Sequence, residues 1–360
     1  ARAPLPAWDN SAMDGYAVRA EDLPATLPVA GVIAAGNRPG ATLAPATTWR
    51  IMTGAPIPEG ADTVVMRENV IEGDDQAVFE SPATLGRHIR RAGEDIEVGD
   101  VAIRSGTLLR AGELGVLAAL AHQQVVVGKQ PRVALLSTGT ELVAVGEKPE
   151  PGQKINSNAV ALGAEIAAAG GVVVSDAIAH DDKDSMRQAF RAALAESDVL
   201  ITSGGVSAGD FDFARDVAAD VGITIDFWKV AIKPGKPMVF GTTDSGQLYF
   251  GLPGNPVSTM VTFELFVRPA LLAMAGARDI DRPRAPVELA TSYEKKKGRA
   301  HYLRSSVRRE GQRLIANVGR KQGSGMLTSM LSVDALIEIP IDSERQSAGS
   351  TVTALLLEPR

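Results

Sequence analysis

Residues 199–212, which read VLITSGGVSAGDFD, bring a backbone suited to anions together with a hydroxyl group and two carboxylates. The apolar run at the start predicts a short buried strand. The loop that follows has almost no side chains and consists of Ser203, Gly204 and Gly205. Its successive backbone N–H groups can converge on an anion.

Ser207 and Asp212 lie near the end of this stretch, and a helical pattern begins directly after it. Asp212 is therefore predicted to cap the helix. A glycine loop, a hydroxyl and carboxylates at a helix start suit a site for phosphate and Mg²⁺. A tight strand-to-helix turn with a capping aspartate explains the same residues, and the stretch alone does not decide between the two.

The elements that must position this stretch form a strand-then-helix pattern that occurs three times in residues 131–219. RVALLST predicts the first buried strand, and Asn156 and Ser157 are predicted to cap a helix over residues 159–169. VVVSDAIA predicts the second strand, followed by a helix over residues 185–195. Three such units in a row predict an α/β domain with a parallel, right-handed, doubly wound sheet and helices on both faces.

Three loops directly follow the predicted strands, so all three are expected at one edge of the sheet, where such sheets bind ligands. They give Glu141, Asp181 and Asp212 a common neighbourhood. The first strand is not followed by G-x-G-x-x-G, and the sequence has no G-x-x-x-x-G-K-[ST]. A nicotinamide-type Rossmann site and a Walker P-loop are both disfavoured.

Two further turns have the composition of an anion site. Lys233 and Lys236 flank a Pro-Gly pair, which places two cations on a stiff turn. The segment GLPGNPVS leads into a helix predicted over residues 257–274, and its candidate residues are Pro253, Asn255, Pro256 and Ser258. A helix N-terminus beside two lysines outlines an oxyanion pocket. The alternative is a pair of hairpin turns with surface lysines.

The first 86 residues have shorter patterns. Residues 1–23 predict an extended arm that ends in a tight turn, with Asp14 as an exposed turn carboxylate or a ligand presented on a loop. Apolar segments punctuated by Gly and Pro predict a small β domain over residues 24–86. Two prolines in MTGAPIPEGAD could hold Thr53 in a fixed orientation, although a plain loop fits as well.

Two charged stretches lie elsewhere. In RRAGEDI, Asp95 belongs either to a solvated, salt-bridged turn or to a set of free acids beside phosphate-binding arginines. After residue 283 the pattern is β-rich, and a basic run covers residues 295–309. That run predicts a solvated face, or a few side chains that help to bind an anion.

The composition limits the class of protein. A chain of 360 residues is expected to form two to four domains. The net charge of -6 argues against nucleic acid as the main partner, and the absence of cysteine excludes disulfides and thiolate metal sites. We expect a cytosolic protein, because neither a signal peptide nor a bilayer-spanning apolar run is visible. Because the chain starts at Ala1 without Met, part of the natural N-terminus is expected to be missing.

Eight segments occur in order along nearly the whole chain: DNSAMDGYAVR, IMTGAPIPEGADTVV, RRAGEDI, LLSTGTEL, SGGVSAGDFD, AIKPGKPMVFG, GLPGNPVS and GSGMLTSM. Together they resemble molybdopterin molybdenumtransferases of the MoeA type, a family that includes the E domain of gephyrin. The resemblance implies insertion of molybdenum from molybdate into adenylylated molybdopterin, with Mg²⁺-dependent hydrolysis of the adenylate to AMP. It also implies a homodimer whose cleft uses both subunits, and molybdopterin adenylyltransferase as a further partner.

The resemblance implies four domains in an elongated chain. Residues 1–23 and 87–130 would form the first, without its N-terminal helical part, and residues 24–86 the small β domain. Residues 131–276 would form the molybdopterin-binding α/β domain, and residues 283–360 a C-terminal β domain.

By position, the acids on which the family relies fall on Asp14, Asp95, Glu141, Asp181 and Asp212. Thr53 matches its MTGAP threonine, and Pro253 and Pro256 match its LPGNP prolines. Lys233, Lys236 and Ser258 match positions that hold pyranopterin phosphate or molybdate. On this basis Asp181 and Asp212 are the expected Mg²⁺ ligands, the amides of residues 203–207 support the α-phosphate, and Glu141 is the candidate for positioning or general-base work.

Two other functions are compatible with the same fold. One is a non-catalytic scaffold of the gephyrin type, which the absence of a long linker or partner-binding tail disfavours. The other is a pterin or nucleotide pyrophosphatase of related fold. Substrate requirement separates them from the transferase, because only the transferase needs both molybdate and the pterin.

Overall fold

The structure is a computed structural model that describes residues 1–36, 42–179, 182–205 and 214–357. The chain forms two compact units, residues 1–126 and residues 127–360. Asp181, Ser207 and Asp212 lie outside the described residues. The division into four domains stays a prediction.

The first unit is mainly β. Its described strands are β1 (Asn10–Ser11), β2 (Gly15–Val18), β3 (Ala25–Ile33), β4 (Thr48–Ile51), β5 (Thr63–Met66), β6 (Ile71–Glu72), β7 (Gln76–Phe79) and β8 (Ile89–Arg90), and helix α1 spans Ala111–Ala119. Six of these strands form one sheet in the order β5-β2-β4-β3-β7-β6. Apolar side chains pack on both of its faces, with Tyr16 and Phe79 in one cluster and Ile51 and Val64 in another.

Strand β2 differs from the sequence-based expectation. It pairs with β4 on one side and β5 on the other, and all four of its residues are buried. The prediction of an extended arm over residues 1–23 is therefore wrong for Gly15–Val18. A short strand buried on both faces has no alternation of polar and apolar residues, so periodicity could not identify it.

The second unit begins with an α/β region. Its strands are β9 (Arg132–Thr138), β10 (Leu142–Val143), β11 (Lys154–Ile155), β12 (Val172–Ala179), β13 (Val199–Ser203), β14 (Ile223–Trp228), β15 (Ile232–Lys233), β16 (Val239–Thr243) and β17 (Leu248–Leu252). Its helices are α2 (Ser157–Ala168), α3 (Lys183–Glu196), α4 (Ala214–Asp220), α5 (Pro256–Thr262) and α6 (Arg268–Met274), and a π-helical turn at Phe263–Val267 joins the last two.

Six strands form the central sheet in the order β12-β9-β13-β17-β16-β14. The first four are parallel, as the repeated strand-helix pattern predicts. In contrast to an all-parallel sheet, β16 is antiparallel to both β17 and β14. The connection from β16 to β17 is a tight turn, and a turn of that length can only join antiparallel strands.

Helices cover both faces of this sheet. On one face Met186 and Phe190 of α3 pack against Leu136, and on the other Leu162 and Ile166 of α2 pack in a second cluster. Within the described residues, the helix Pro256–Met274 is long and apolar enough to cross a membrane by length and composition. Several of its apolar residues lie in the protein core instead, for example Val261, Phe263 and Leu271, which are fully buried.

The second unit ends in a β region, as predicted. Its strands are β18 (Arg284–Leu289), β19 (Tyr293–Glu294), β20 (Ala300–Glu310), β21 (Arg313–Val318), β22 (Ala335–Ile339), β23 (Arg345–Gln346) and β24 (Thr351–Leu356). The sheet runs β15-β20-β21-β18-β24-β22, and an added β20–β22 pairing closes it into a small barrel. Because β15 lies in the chain between β14 and β16, its pairing with β20 joins the barrel to the α/β region.

Candidate functional site

The strand order creates a switch point beside β9. The chain leaves β9 to form β12 on one side, and it later places β13 on the other side. In open α/β sheets, ligands bind in the crevice outside the carboxyl ends of the strands at such a point. A cavity of about 1160 Å³ lies there, and its wall includes Thr138 after β9, Gly204 after β13 and Pro253 after β17.

The glycine loop after β13 is part of this wall, and its shape requires glycine. Gly204 has φ +97°, and a Cβ there would lie 2.7 Å from the backbone oxygen and 2.8 Å from Oγ1 of Thr138. A Cβ on Gly254 would lie 3.5 Å from the Cα of Gly204. The loop is therefore packed between the end of β9 and the turn before α5, so its backbone can approach a ligand closely.

Helix α2 begins at the cavity. Asn156 caps it by accepting a hydrogen bond from the Ala159 backbone N–H at 3.4 Å, as the sequence predicts. The first turn contributes Ser157 and Asn158 to the wall. Nδ2 of Asn158 donates to Ser203 Oγ at 2.7 Å and to the Gly254 carbonyl at 2.9 Å.

Helix α5 also begins at the cavity, with Pro256 in its first turn. A loop of the barrel contacts this helix start: the Val257 N–H donates to the Ser324 carbonyl at 3.1 Å, and Asn255 Nδ2 donates to Ser324 Oγ at 3.2 Å. Two helices thus present their N-terminal ends to one cavity. The partial positive charge of helix N-termini favours anions.

The charge of the wall is strongly unequal. Its cationic residues are Lys154, Lys233, Lys236, Arg299 and Arg320. Glu141 is the carboxylate that the described wall contains, and its Oε1 lies 4.0 Å from Lys154 Nζ, a weak pairing at an exposed position. Five cations against one carboxylate make this a cavity for an anionic ligand.

Lys233 and Lys236 lie on the stiff turn that the sequence predicts. Lys233 ends β15, where it pairs with His301 of β20, and the peptide bond to Pro234 is cis. Gly235 between the two lysines packs closely on helix α5, because a Cβ there would lie 2.4 Å from Thr262 Cγ2. The turn is therefore held by both the barrel and the helix.

His301 is affected by the same positive charge. It is 6% exposed, and the Tyr293 hydroxyl lies 2.9 Å from its Nδ1. Burial, and then the charges of Lys233, Lys295 and Arg299, lower the pKa of His301 to about 4. The imidazole is neutral at physiological pH.

The buried Arg304 shapes the barrel loop that reaches the cavity. It is 2% exposed, and its NH2 group donates to the carbonyls of Lys321 and Gly323, both at 3.2 Å. Burial lowers the pKa of its guanidinium. Of the basic run over residues 295–309, Arg299 therefore lines the cavity while Arg304 supports a loop from behind.

Three candidate residues lie in the first unit. Asp14 Oδ1 accepts hydrogen bonds from the Thr53 N–H at 2.7 Å and the Thr53 hydroxyl at 2.9 Å. These bonds, followed by the charges of Arg67 and Arg50, lower the pKa of Asp14. Asp95 is exposed in a turn, where its N–H donates to the Leu5 carbonyl at 3.1 Å. Asp14 and Thr53 thus form one exposed, ordered pair.

The cavity collects most of the candidates from the α/β region: Glu141, Gly204, Gly205, Lys233, Lys236, Pro253, Asn255, Pro256 and Ser258. Ser203 is buried behind them and contacts Asn158. Reasoning from the sequence missed Asn158, Arg320 and Ser324. Asn158 lies two residues after the predicted cap, whereas nothing in the local pattern indicated the loop that carries the other two.

The described residues do not test the expected Mg²⁺ site. Within the ranges that the structure describes, no three His, Cys, Asp or Glu side chains lie close enough together to hold a metal ion. Both expected ligands, Asp181 and Asp212, lie outside those ranges. The Mg²⁺ site stays a prediction.

Three protein-family models together match most of the chain. Residues 1–121 match the family described as "MoeA N-terminal region (domain I and II)". Residues 134–273 match "Probable molybdopterin binding domain", and residues 286–357 match "MoeA C-terminal region (domain IV)". Every described residue of the cavity wall falls within the last two matched ranges, so the site lies within the family's own domains.

Individual relatives agree with these matches. Molybdopterin molybdenumtransferase 2 of Mycobacterium tuberculosis is 38% identical over 358 residues, which cover 96% of this chain and 88% of that protein. Molybdopterin molybdenumtransferase of Haemophilus influenzae is 39% identical over 355 residues, covering 97% and 87%. The crystal structure of molybdopterin biosynthesis moeA protein from Pyrococcus horikoshii OT3 has a TM-score of 0.84 at 30% identity, covering 99% and 89%.

An α/β domain with a cation-lined cavity at the carboxyl edge of its sheet is typical of enzymes that act on anionic small molecules. The family matches, and the sequence identity to relatives over nearly the full length, narrow this class of enzyme to one family. This chain belongs to the molybdopterin molybdenumtransferase family, and it is a transferase of molybdenum cofactor biosynthesis.

Proposed function

We propose that the protein inserts molybdenum from molybdate into adenylylated molybdopterin and hydrolyses the adenylate, so that AMP and molybdenum cofactor are released. The observation that carries this proposal is the charge of the cavity wall, whose described part holds five cations, one carboxylate and the N-terminal ends of two helices. Both substrates are anions. A cavity of about 1160 Å³ has room for a nucleotide-sized molecule together with a small oxyanion.

Lys233 and Lys236 would bind the oxyanion, together with Ser258 in the first turn of α5. Their turn is packed against both α5 and the barrel, which keeps the backbone that carries the two lysines in place beside the cavity. Arg299 lines the same cavity from the barrel side. Charged donors of this kind stabilise the negative charge that develops during oxyanion and phosphoryl chemistry.

The glycine loop would hold the adenylate phosphates. Gly204 and Gly205 line the cavity, with Ser203 buried behind them, and Ser207, farther along the sequence, would add its hydroxyl group. Asp181 and Asp212 would hold a Mg²⁺ ion, which neutralises phosphate charge and orients the attacking oxygen when it is bound. Glu141 would position the attacking water or accept its proton.

The candidate residues of the first unit complete the proposal. Asp14, Thr53 and Asp95 would act in the cleft of a homodimer, in which each site uses residues of both subunits. The ordered Asp14–Thr53 pair suits that role, because an exposed carboxylate with a lowered pKa is charged and fixed in position. A cytoplasmic location and an exchange of substrate with molybdopterin adenylyltransferase accord with this function.

The test is a turnover assay with adenylylated molybdopterin, molybdate and Mg²⁺, in which AMP and molybdenum cofactor are measured. We expect both products, and Asp212→Asn should abolish them while Asp226→Asn, at an exposed position of strand β14, leaves them unchanged. AMP release that needs neither molybdate nor the pterin would show a pyrophosphatase instead. Binding without any turnover would favour the scaffold.

A further inference from the structure

Asn158 ties together two parts of the cavity wall that are far apart in the sequence. One amide proton of Nδ2 goes to Ser203 Oγ, 45 residues away, at 2.7 Å. The other goes to the Gly254 carbonyl, 96 residues away, at 2.9 Å. The first partner begins the glycine loop, and the second lies in the turn that leads into α5.

The orientation of this amide is determined by its partners. A backbone carbonyl can only accept a hydrogen bond, so the group that faces Gly254 must be the NH₂ and not the oxygen. Both Nδ2 protons are therefore used within the protein. The side chain is also anchored at its base, because Asn156 caps the first turn of α2 in which Asn158 lies.

The contact occurs where the two wall segments approach most closely. Gly204 follows Ser203 directly, and a Cβ on Gly254 would lie 3.5 Å from the Gly204 Cα. On its other side Gly204 packs against Thr138. The glycine loop is thus enclosed by β9 and the turn before α5, and Asn158 provides the polar link between the loop and that turn.

We propose that Asn158 is a positioning residue that fixes the distance between the glycine loop and the N-terminal turn of α5. The inference rests on the proposed function, in which the first element binds the adenylate phosphate and the second binds the oxyanion. Each element keeps its own ligand groups without Asn158. Only the reaction, which needs the adenylate phosphate and the oxyanion at the correct distance from each other, depends on the hydrogen bonds of Asn158.

The test compares turnover with the binding of single ligands. For Asn158→Ala we expect kcat to fall about 100-fold, the size of effect that a misplacement of about 1 Å causes. The Kd of molybdate alone and the Kd of AMP alone, measured by calorimetry, should each stay within about threefold of the original protein, a spread of less than about 1 kcal/mol. Asn317→Ala is the matched control, because Asn317 is exposed on β21 of the same unit.

Two further variants keep the inference falsifiable if Asn158→Ala lowers stability. Asn158→Asp keeps the size of the side chain but replaces the NH₂ with an acceptor that cannot bond to the Gly254 carbonyl, so it should lose as much activity as Asn158→Ala. Ser203→Ala removes one of the two links and should lower kcat about 10-fold. Because it acts through Asn158, the double variant should be no worse than Asn158→Ala alone.

Three outcomes would overturn the inference. An unchanged kcat in Asn158→Ala and Asn158→Asp would show that the link has no role, and a tenfold weaker Kd for one single ligand would make Asn158 a direct ligand group. Losses that multiply in the double variant would contradict action through a shared link. The original protein reports separately on the proposed function: if it releases no AMP in the full assay, that function fails and takes the inference with it.

Discussion

Two charged regions of the α/β domain differ in their chemistry. At their N-terminal ends, α2 and α5 line the cavity, where the charged side chains of the wall are mostly cations. Farther along, Glu165 of α2 lies near Glu264 of the π-helical turn, together with Arg268 and Arg282. This second group, as described, contains two glutamates and two arginines.

The two regions also differ in whether their charged side chains form close ion pairs. Arg282 donates to both oxygens of Glu264, at 2.9 and 2.8 Å, and these side chains are only 12% and 13% exposed. The cavity cations have no such carboxylate partners within the described residues, apart from the 4.0 Å contact of Lys154. The paired charges hold the helices and their following loop in place, whereas the cavity cations, which lack close carboxylate partners among the described residues, are available to a ligand.

Glu264→Ala should have the largest effect, and it should affect stability. Removing Glu264 takes away the carboxylate that both Arg282 hydrogen bonds reach in a buried site, so the free energy of unfolding should fall by about 3–5 kcal/mol. Urea denaturation measures the change, and kcat per folded molecule should stay the same. Glu310→Ala, which breaks the exposed pair with Arg308, is the control and should cost less than about 1 kcal/mol. Equal losses in both variants would remove the distinction between the two regions.

Lys236→Gln should lower turnover and leave stability unchanged. We expect turnover to fall about 100-fold, equivalent to about 2.7 kcal/mol of transition-state stabilisation, because a donor to the oxyanion is lost. Unfolding should be unchanged within about 0.5 kcal/mol, since Lys236 is exposed. The AMP-release assay and urea denaturation separate the two quantities. Lys148→Gln, at an exposed position outside the wall, should keep full turnover.

Glu165→Gln should increase stability by about 1 kcal/mol at pH 8. Burial, and then the charge of Glu264, raise the pKa of Glu165 well above 4.5, and its Oε2 is buried without a hydrogen-bond partner in the described structure. The folded protein thus keeps a proton that the unfolded chain loses, so stability falls as pH rises above 4.5 toward the folded pKa. The gain should vanish near pH 4 in denaturation curves. A destabilised variant at pH 8 would show that the charged form is favourable.

His301→Gln should have the smallest effect, confined to acidic pH. With the pKa of His301 lowered to about 4 in the folded protein, the unfolded chain takes up a proton below pH 6.5 and the folded protein does not. Stability from this group is complete above pH 6.5 and is lost as pH falls toward 4. Melting temperatures measured across that range should fall less steeply in the variant. Parallel curves would mean that the pKa of His301 is not lowered in the folded protein.

The sequence predicts the parts of the fold whose patterns are local. Strand β9 has a run of buried apolar residues, and α2 has a capping residue in Asn156, so their positions follow from the sequence. The shared edge of the strands also predicts that Glu141 and the glycine loop lie together, which the cavity confirms.

Other features depend on contacts that no local pattern encodes. Arg304 is one position in a basic run, and only the barrel shows that it is buried behind a loop. Asn158 follows a cap, and its function depends on two partners from distant segments. Strand β2 is hidden because it is buried on both faces.

The central claim is that the cations lining the cavity bind the molybdenum substrate. The most direct measurement is a crystal structure with molybdate and AMP, with anomalous diffraction recorded at the molybdenum absorption edge. The account predicts a molybdenum peak within hydrogen-bonding distance of the side chains of Lys233 and Lys236, next to the first turn of α5. A peak bound elsewhere, with this cavity empty in a protein that is active in the turnover assay, would contradict it.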